Sequence, residues 1–269
     1  MINRNIYKRN KKLSVYFDLK DNALDGGREA IQETWNELRY QLVNKEFFYN
    51  DDNLERKSRF LSVLNQLLEY ENISESVTVD LRYFAKSKVF LRAVKIRSGE
   101  TVTLSRFIPD ASKMKSANRF SPKGTEWLYL GFDRYISDAK KCCFSEIRAN
   151  VTDNVKYCVF KYIGENVKII DLTIADKMEW DEISHKQKTK AELAVTHFLL
   201  ETYCKLLSEQ IFVPIGSRDK EMEYAPFQCI AQYFKQKGYC GIIYKSTVCK
   251  YGKNLVVFDK NIFSPGEII

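Results

Sequence analysis

The stretch Asn118-Arg119-Phe120-Ser121-Pro122-Lys123-Gly124-Thr125-Glu126-Trp127-Leu128-Tyr129 changes character halfway along. It begins as a polar loop holding Pro and Gly and ends in aromatic and branched residues that favour a strand. The loop carries Arg119 and Lys123. A guanidinium there can grip a phosphate through two parallel hydrogen bonds. Taken alone, the stretch reads first as an exposed loop ahead of a strand, so its neighbours decide its use.

Further β-like runs rich in Val, Ile, Tyr and Phe surround it, at 89–94, 155–162, 167–172, 241–244 and 254–258. Helical stretches interrupt them at 137–148, 190–210 and 226–237. In the second, Leu193, Ala194, His197, Leu200, Cys204 and Leu207 share one face. Gly238 closes the third. The chain before residue 87 is different. Ile31, Trp35, Leu38 and Leu42 mark one amphipathic helix, with Gly26 and Gly27 just before it. Phe60, Leu61, Leu64, Leu67 and Leu68 mark a second, with turn or N-cap residues at Asn50, Asp51, Asp52 and Asn53. Residues 77–84 fit a strand or a short helix. The expectation is an α+β protein: a helical N-terminal domain over 1–86, then a mixed α/β domain over 87–269.

Composition narrows the function classes. The 269 residues are 45% hydrophobic and 13% aromatic, which is enough for a real core. No apolar run reaches the roughly 18 residues that span a bilayer, so no membrane partner is expected. The N-terminus is basic and has no apolar signal stretch. Seven cysteines without regular spacing read as reduced thiols in a cytoplasmic protein. No Cys pair has two-residue spacing and only His185 and His197 are present, so no metal site is expected. The scarcity of His also argues against a Ser-His-Asp or Cys-His hydrolase. Net charge is +8, with one dense cluster at Arg4, Lys8, Arg9, Lys11 and Lys12. That suits an anionic partner, but the cluster reads first as a solvated tail. Neither a Rossmann fingerprint nor a P-loop occurs.

Several short blocks occur in a definite order: Phe90-Leu91-Arg92-Ala93, the Asn118–Gly124 loop, Leu128-Tyr129-Leu130, Ser145-Glu146-Ile147-Arg148 and Ile170-Asp171-Leu172-Thr173. Then come Glu223-Tyr224-Ala225-Pro226-Phe227-Gln228, Gly241-Ile242-Ile243-Tyr244-Lys245-Ser246 and Asn254-Leu255-Val256-Val257-Phe258. In this order, over about residues 88–260, the chain resembles the RES domain, named for an Arg, a Glu and a Ser. The resemblance implies a fold like that of ADP-ribosylating toxins, with a cleft for NAD. It implies an enzyme that consumes NAD as a substrate rather than holding a permanent cofactor. Nicotinamide would be released by hydrolysis or phosphorolysis, with inorganic phosphate a candidate co-substrate. It also implies a bacterial toxin or anti-phage effector, silenced by an antitoxin or regulatory protein. Longer members carry an added helical N-terminal domain, and this chain looks like one of them.

Carried over residue by residue, the family Arg falls on Arg119, the Glu on Glu146 and the Ser on Ser246. The family Tyr falls on Tyr129, ten residues beyond Arg119, and an early strand Arg on Arg92. Arg92 and Arg119 would contact phosphates. Glu146 would stabilise positive charge on the ribose, Tyr129 would stack on nicotinamide or ribose, and Ser246 would orient the substrate. Asn118 stands where the family usually has Gly, and Ser121 where Asn is frequent. Residues 174–222 look like an expansion of the catalytic domain. Two alternatives remain at this point. One is a mono-ADP-ribosyltransferase acting on a macromolecule. The other is a basic nucleic-acid-binding module, for which no helix-turn-helix or aromatic-interleaved basic run is present. A second copy of the chain is a further candidate partner.

Overall fold

The computed structural model describes residues 25–70, 73–177, 191–213 and 220–269. The basic cluster at Arg4–Lys12 lies outside them. In chain order the described helices are α1 Asp25–Val43, α2 Arg59–Glu69, α3 Leu81–Ala85, α4 Ile136–Glu146, α5 Ala191–Phe212 and α6 Lys220–Gln236. The strands are β1 Thr78–Asp80, β2 Val89–Lys95, β3 Leu128–Asp133, β4 Val155–Tyr162, β5 Lys168–Asp171, β6 Gly241–Lys245, β7 Lys253–Val257 and β8 Phe263–Ile268.

The described residues form two compact units, one of 25–70, 73–78, 172–177, 191–213 and 220–236, the other of 79–171 and 237–269. Sequence reading placed 174–222 with the sheet; the described residues of that stretch group with the N-terminal helices. The reason lies in α5. It was expected to be apolar on one face. Phe198, Leu199, Leu200, Tyr203, Cys204, Leu206, Leu207 and Ile211 are all buried. A helix apolar on most sides must be surrounded by other elements.

Within the helical unit, α1 buries Ile31, Trp35, Leu38 and Leu42, the face read from its spacing. Trp35 packs edge-on to Phe60 of α2, with ring centroids 5.3 Å apart, and Phe60 packs on Tyr203 of α5 at 4.7 Å. The turn residues before α2 do not cap it. Asn53 starts a separate single turn, Leu54–Arg56, and the N-cap of α2 is Ser58. Helix α6 begins six residues before the expected start and takes Pro226 into its body.

In the other unit the described strands form one mixed sheet, ordered β1-β5-β6-β7-β3-β2-β4-β8. β5 and β6 are parallel, whereas β6–β7, β7–β3, β3–β2, β2–β4 and β4–β8 are antiparallel. The ambiguous stretch 77–84 is both things in turn. β1 ends at Asp80, whose carboxylate accepts from the Arg82 and Tyr83 N–H groups and starts α3. β8 was not foreseen. Its Pro265 and Gly266 argue against a strand, and it is tolerated at the sheet edge, where its pairing with β4 is interrupted.

One face of the sheet is an apolar core built on Phe90, Leu128, Leu130, Phe132, Phe160, Leu255 and Val257. On the other face α4 covers Leu91 and Ala93 through Ala139 and Cys143. The approach is close. A Cβ on Gly131 would stand 2.6 Å from Cys143 Sγ. β2 pairs with β3 only over Val89, Phe90 and Leu91, yet stays paired with β4 as far as Lys95. Beyond Leu91 the two strands part, and the sheet opens.

Candidate active site

A cavity of about 320 Å³ occupies that opening. β2 supplies Arg92, Ala93 and Val94 to it, and β3 supplies Tyr129, Leu130 and Gly131. Cys143 and Glu146 reach it from α4, and Tyr244 and Asn254 from β6 and β7.

Glu146 is the last residue of α4. The helix stops in a Schellman arrangement: Arg148 N–H donates to the Ser145 carbonyl at 2.9 Å and Ala149 N–H to the Phe144 carbonyl at 3.1 Å. Arg148 takes the left-handed conformation there, with φ 49°. Lys95 holds this turn against the end of β2. Its ammonium donates to the Arg148 carbonyl at 2.8 Å and pairs with Asp153 at 2.8 Å. A carboxylate at a helix C-terminus faces the negative end of the helix dipole, which is locally unfavourable. Two donors oppose that. Ser246 Oγ donates to Glu146 Oε1 at 2.6 Å and Asn254 Nδ2 to the same oxygen at 2.5 Å.

Ser246 is 1% exposed. Its hydroxyl accepts from the backbone N–H groups of Val248 at 3.2 Å and Cys249 at 2.9 Å. With both acceptor positions used and its one proton on Glu146, it is turned toward the carboxylate rather than into the cavity. Sequence reading gave it a direct contact with substrate; in the structure its hydroxyl donates to Glu146.

Tyr129 presents its ring to the cavity, and its hydroxyl shares a 2.9 Å hydrogen bond with Ser121. That bond ties the strand to the loop beginning at Asn118. The loop is folded on itself, with Asn118 N–H on the Ser121 carbonyl at 2.8 Å and Gly124 N–H on the Met114 carbonyl at 3.1 Å. Phe120 is buried and packs edge-on to Tyr244, with ring centroids 4.9 Å apart. Farther along, Lys260 pairs with Glu126 at 2.7 Å and donates to the Pro109 carbonyl at 3.1 Å. That pairing holds the Glu126 carboxyl below its usual range. Arg119 lies between the cavity residue Asn118 and the anchor Phe120. Burial and the charge on Glu146 push the Tyr244 hydroxyl well above its ordinary pKa, and the Arg119 guanidinium acts in the opposite sense.

Arg92 is the other cation of the expected set. Its Nη1 is buried with no hydrogen-bond partner. Burial first, and then the charge on Arg106, bring its pKa down to about 10. It therefore stays protonated at neutral pH. Arg106 also lines the cavity and is tied to Glu100 at 3.3 Å. Sequence reading missed Arg106, Tyr244 and Asn254. A polar Asn254 opening the apolar run Leu255-Val256-Val257-Phe258 was the one usable signal. Nothing in the spacing marks Arg106. Among the described residues, no group of three or more His, Cys, Asp or Glu side chains could hold a metal ion.

The model of the RES domain matches residues 103–267 of this chain. The chain belongs to the RES domain family. Arg119, Tyr129, Glu146 and Ser246 of this RES domain all fall inside the matched span. Arg92 falls before it, so its place in the site rests on the geometry. The matched span also runs through residues 172–236, which pack in the helical unit. No curated protein and no solved structure matches the chain. Among the described residues, no helix is long and apolar enough to cross a membrane.

Proposed function

We propose that this RES domain protein degrades NAD by breaking the bond between nicotinamide and ribose, as a bacterial toxin or anti-phage effector. The observation that supports this best is the meeting of Glu146 with Ser246 and Asn254 at a cavity that also holds Arg92 and Tyr129. One fixed carboxylate faces a space whose other charges, Arg92 and Arg106, are cationic. That pattern suits a substrate with an anionic diphosphate and a sugar carbon that becomes positive during reaction.

The chemistry follows from those charges. The C1′–N bond breaks with both electrons going to the nicotinamide nitrogen, which leaves as a neutral molecule. The ribose carbon is left oxocarbenium-like, and Glu146 stabilises it as glycosidase carboxylates do. Because the leaving group needs no proton, a site without a catalytic His is sufficient. Arg92, with its unused buried N–H, and Arg106 would take the diphosphate. Tyr129 would pack on the nicotinamide or ribose ring. The cavity is at the low end of the roughly 300–1,000 Å³ usual for ligand pockets, which suits the reacting half of a dinucleotide. Water or inorganic phosphate would then add to the ribose carbon.

The test is incubation of the purified protein with NAD, with and without inorganic phosphate, followed by mass analysis of the products. Free ADP-ribose names water as acceptor, and its phosphorylated form names phosphate. Label from the adenine ring found on a macromolecule instead assigns ADP-ribosyl transfer. Glu146→Gln should stop NAD loss while leaving the thermal melt in place. Full turnover in that variant would overturn the assignment of Glu146.

A further inference from the structure

Resting on that reading, we infer that Asn254 is a positioning residue that, together with Ser246, occupies Glu146 Oε1 and so leaves Oε2 as the oxygen presented to the substrate.

Asn254 lies in the central strand β7, opposite Gly131 of β3 on one side and Tyr244 of β6 on the other. It is 3% exposed, in a strand whose following residues Leu255, Val256 and Val257 are fully buried. An amide buried among apolar residues is costly unless its groups are bonded. Both are. Asn254 Oδ1 accepts from the Cys142 thiol at 3.5 Å, which leaves Nδ2 directed at Glu146 Oε1. Burial pushes the Cys142 thiol well above its usual pKa, so it keeps its proton and remains a donor. Its other acceptor is the more distant Lys253 carbonyl at 3.7 Å.

Cys142 and Glu146 are one helical turn apart on α4. Asn254 therefore bridges two successive turns of that helix, accepting from one and donating to the other. Gly131 makes the bridge possible, because the absent side chain lets α4 come down onto β3. With two donors on Oε1, that oxygen is fixed in place. A carboxylate held by one oxygen can present the other to a developing charge without reorganising.

The test uses Asn254→Ala, Asn254→Asp, Cys142→Ala and Cys142→Ser in the full chain. Asn254→Ala should lower kcat for NAD by about 10- to 100-fold, the worth of one hydrogen bond to a charged group, with KM changed less than about threefold. Asn254→Asp keeps the shape but replaces the donor with an acceptor, and should lose at least as much. Cys142→Ser keeps a donor to Oδ1 and should retain activity, whereas Cys142→Ala should lose it in part. A rise in KM matching the fall in kcat would overturn the proposal. A crystal structure of Asn254→Ala provides a reading independent of turnover: a displaced Glu146 carboxylate supports it, and an unmoved one overturns it. If the wild-type chain leaves NAD intact, the functional reading fails, while the structure still decides whether Asn254 positions Glu146.

Discussion

Ser246 Oγ and Glu146 Oε1 lie 2.6 Å apart although the residues are one hundred positions apart in the chain. The serine hydroxyl also closes the turn after β6 by accepting from Val248 and Cys249. One group thus links the carboxylate to the loop. Ser246→Ala removes a donor from Glu146 and leaves two backbone N–H groups without their acceptor. Turnover should fall about 10- to 100-fold, and stability should drop by about 1–3 kcal/mol. NAD-loss rates and urea unfolding of the same preparation measure the two effects separately. A variant that loses stability but keeps kcat would confine Ser246 to the turn.

Arg92 is a charge whose desolvation costs the empty protein stability. Its pKa is lower in the folded chain than in the unfolded one. Below about 10 both states hold the proton, and the folded state carries the full cost of burying it. As pH rises above about 10 the folded state releases its proton before the unfolded one, so this group's contribution to stability improves. Replacing the buried charge by an apolar side chain of similar length should therefore stabilise the empty protein. For Arg92→Met the expected gain is up to about 1–4 kcal/mol at pH 7, together with weaker NAD binding. Thermal melts with and without ADP-ribose test this. The wild type should gain more from the ligand than the variant does. A less stable empty variant would contradict the account.

Gly131 is required by the closeness of α4 to β3. In Gly131→Ala the new methyl would sit 2.6 Å from Cys143 Sγ. Since the helix carries Glu146 at its end, either the helix or the strand must shift. A stability loss of about 1–3 kcal/mol is expected, with a fall in turnover from the displaced carboxylate. Denaturant midpoints and NAD-loss rates check both. An unchanged midpoint would mean that the helix has room to give.

Arg148 holds a left-handed conformation at a position where helices usually place Gly. Such a conformation costs an L-residue about 1–2 kcal/mol, while Gly adds roughly 0.5–1 kcal/mol of unfolded-chain entropy. Arg148→Gly should thus stabilise the chain by about 0.5–1 kcal/mol. The Lys95 contact is to the backbone carbonyl of Arg148 and survives the change. A shift of the urea midpoint to higher concentration is the expected result. A shift the other way would assign the Arg148 side chain a stabilising role.

Much of the local structure was legible. The spacing of Ile31, Trp35, Leu38 and Leu42 predicted the buried face of α1, and the branched runs predicted β2 to β7 within a few residues. These patterns are set by backbone geometry and the need to bury one face, so each can be read without knowing its neighbours. The resemblance to the RES domain likewise rested on ordered local blocks. It singled out Glu146 and Ser246, which do meet.

The tertiary structure decided the rest. That the described residues of 172–236 pack with the N-terminal helices depends on how much of α5 must be covered, and one helical face read alone understated it. The opening between β2 and β3 arises because β2 keeps its partner β4 after leaving β3, and no residue of β2 announces that. The placing of Asn254 and Ser246 against Glu146, and of Arg106 at the cavity, is of the same kind. Whether Asn254 supports a core or holds a carboxylate depends on what α4 brings within 2.5 Å of it. Periodicity is a property of one segment; the approach of Glu146 to a strand 108 residues later is a property of the packing between segments.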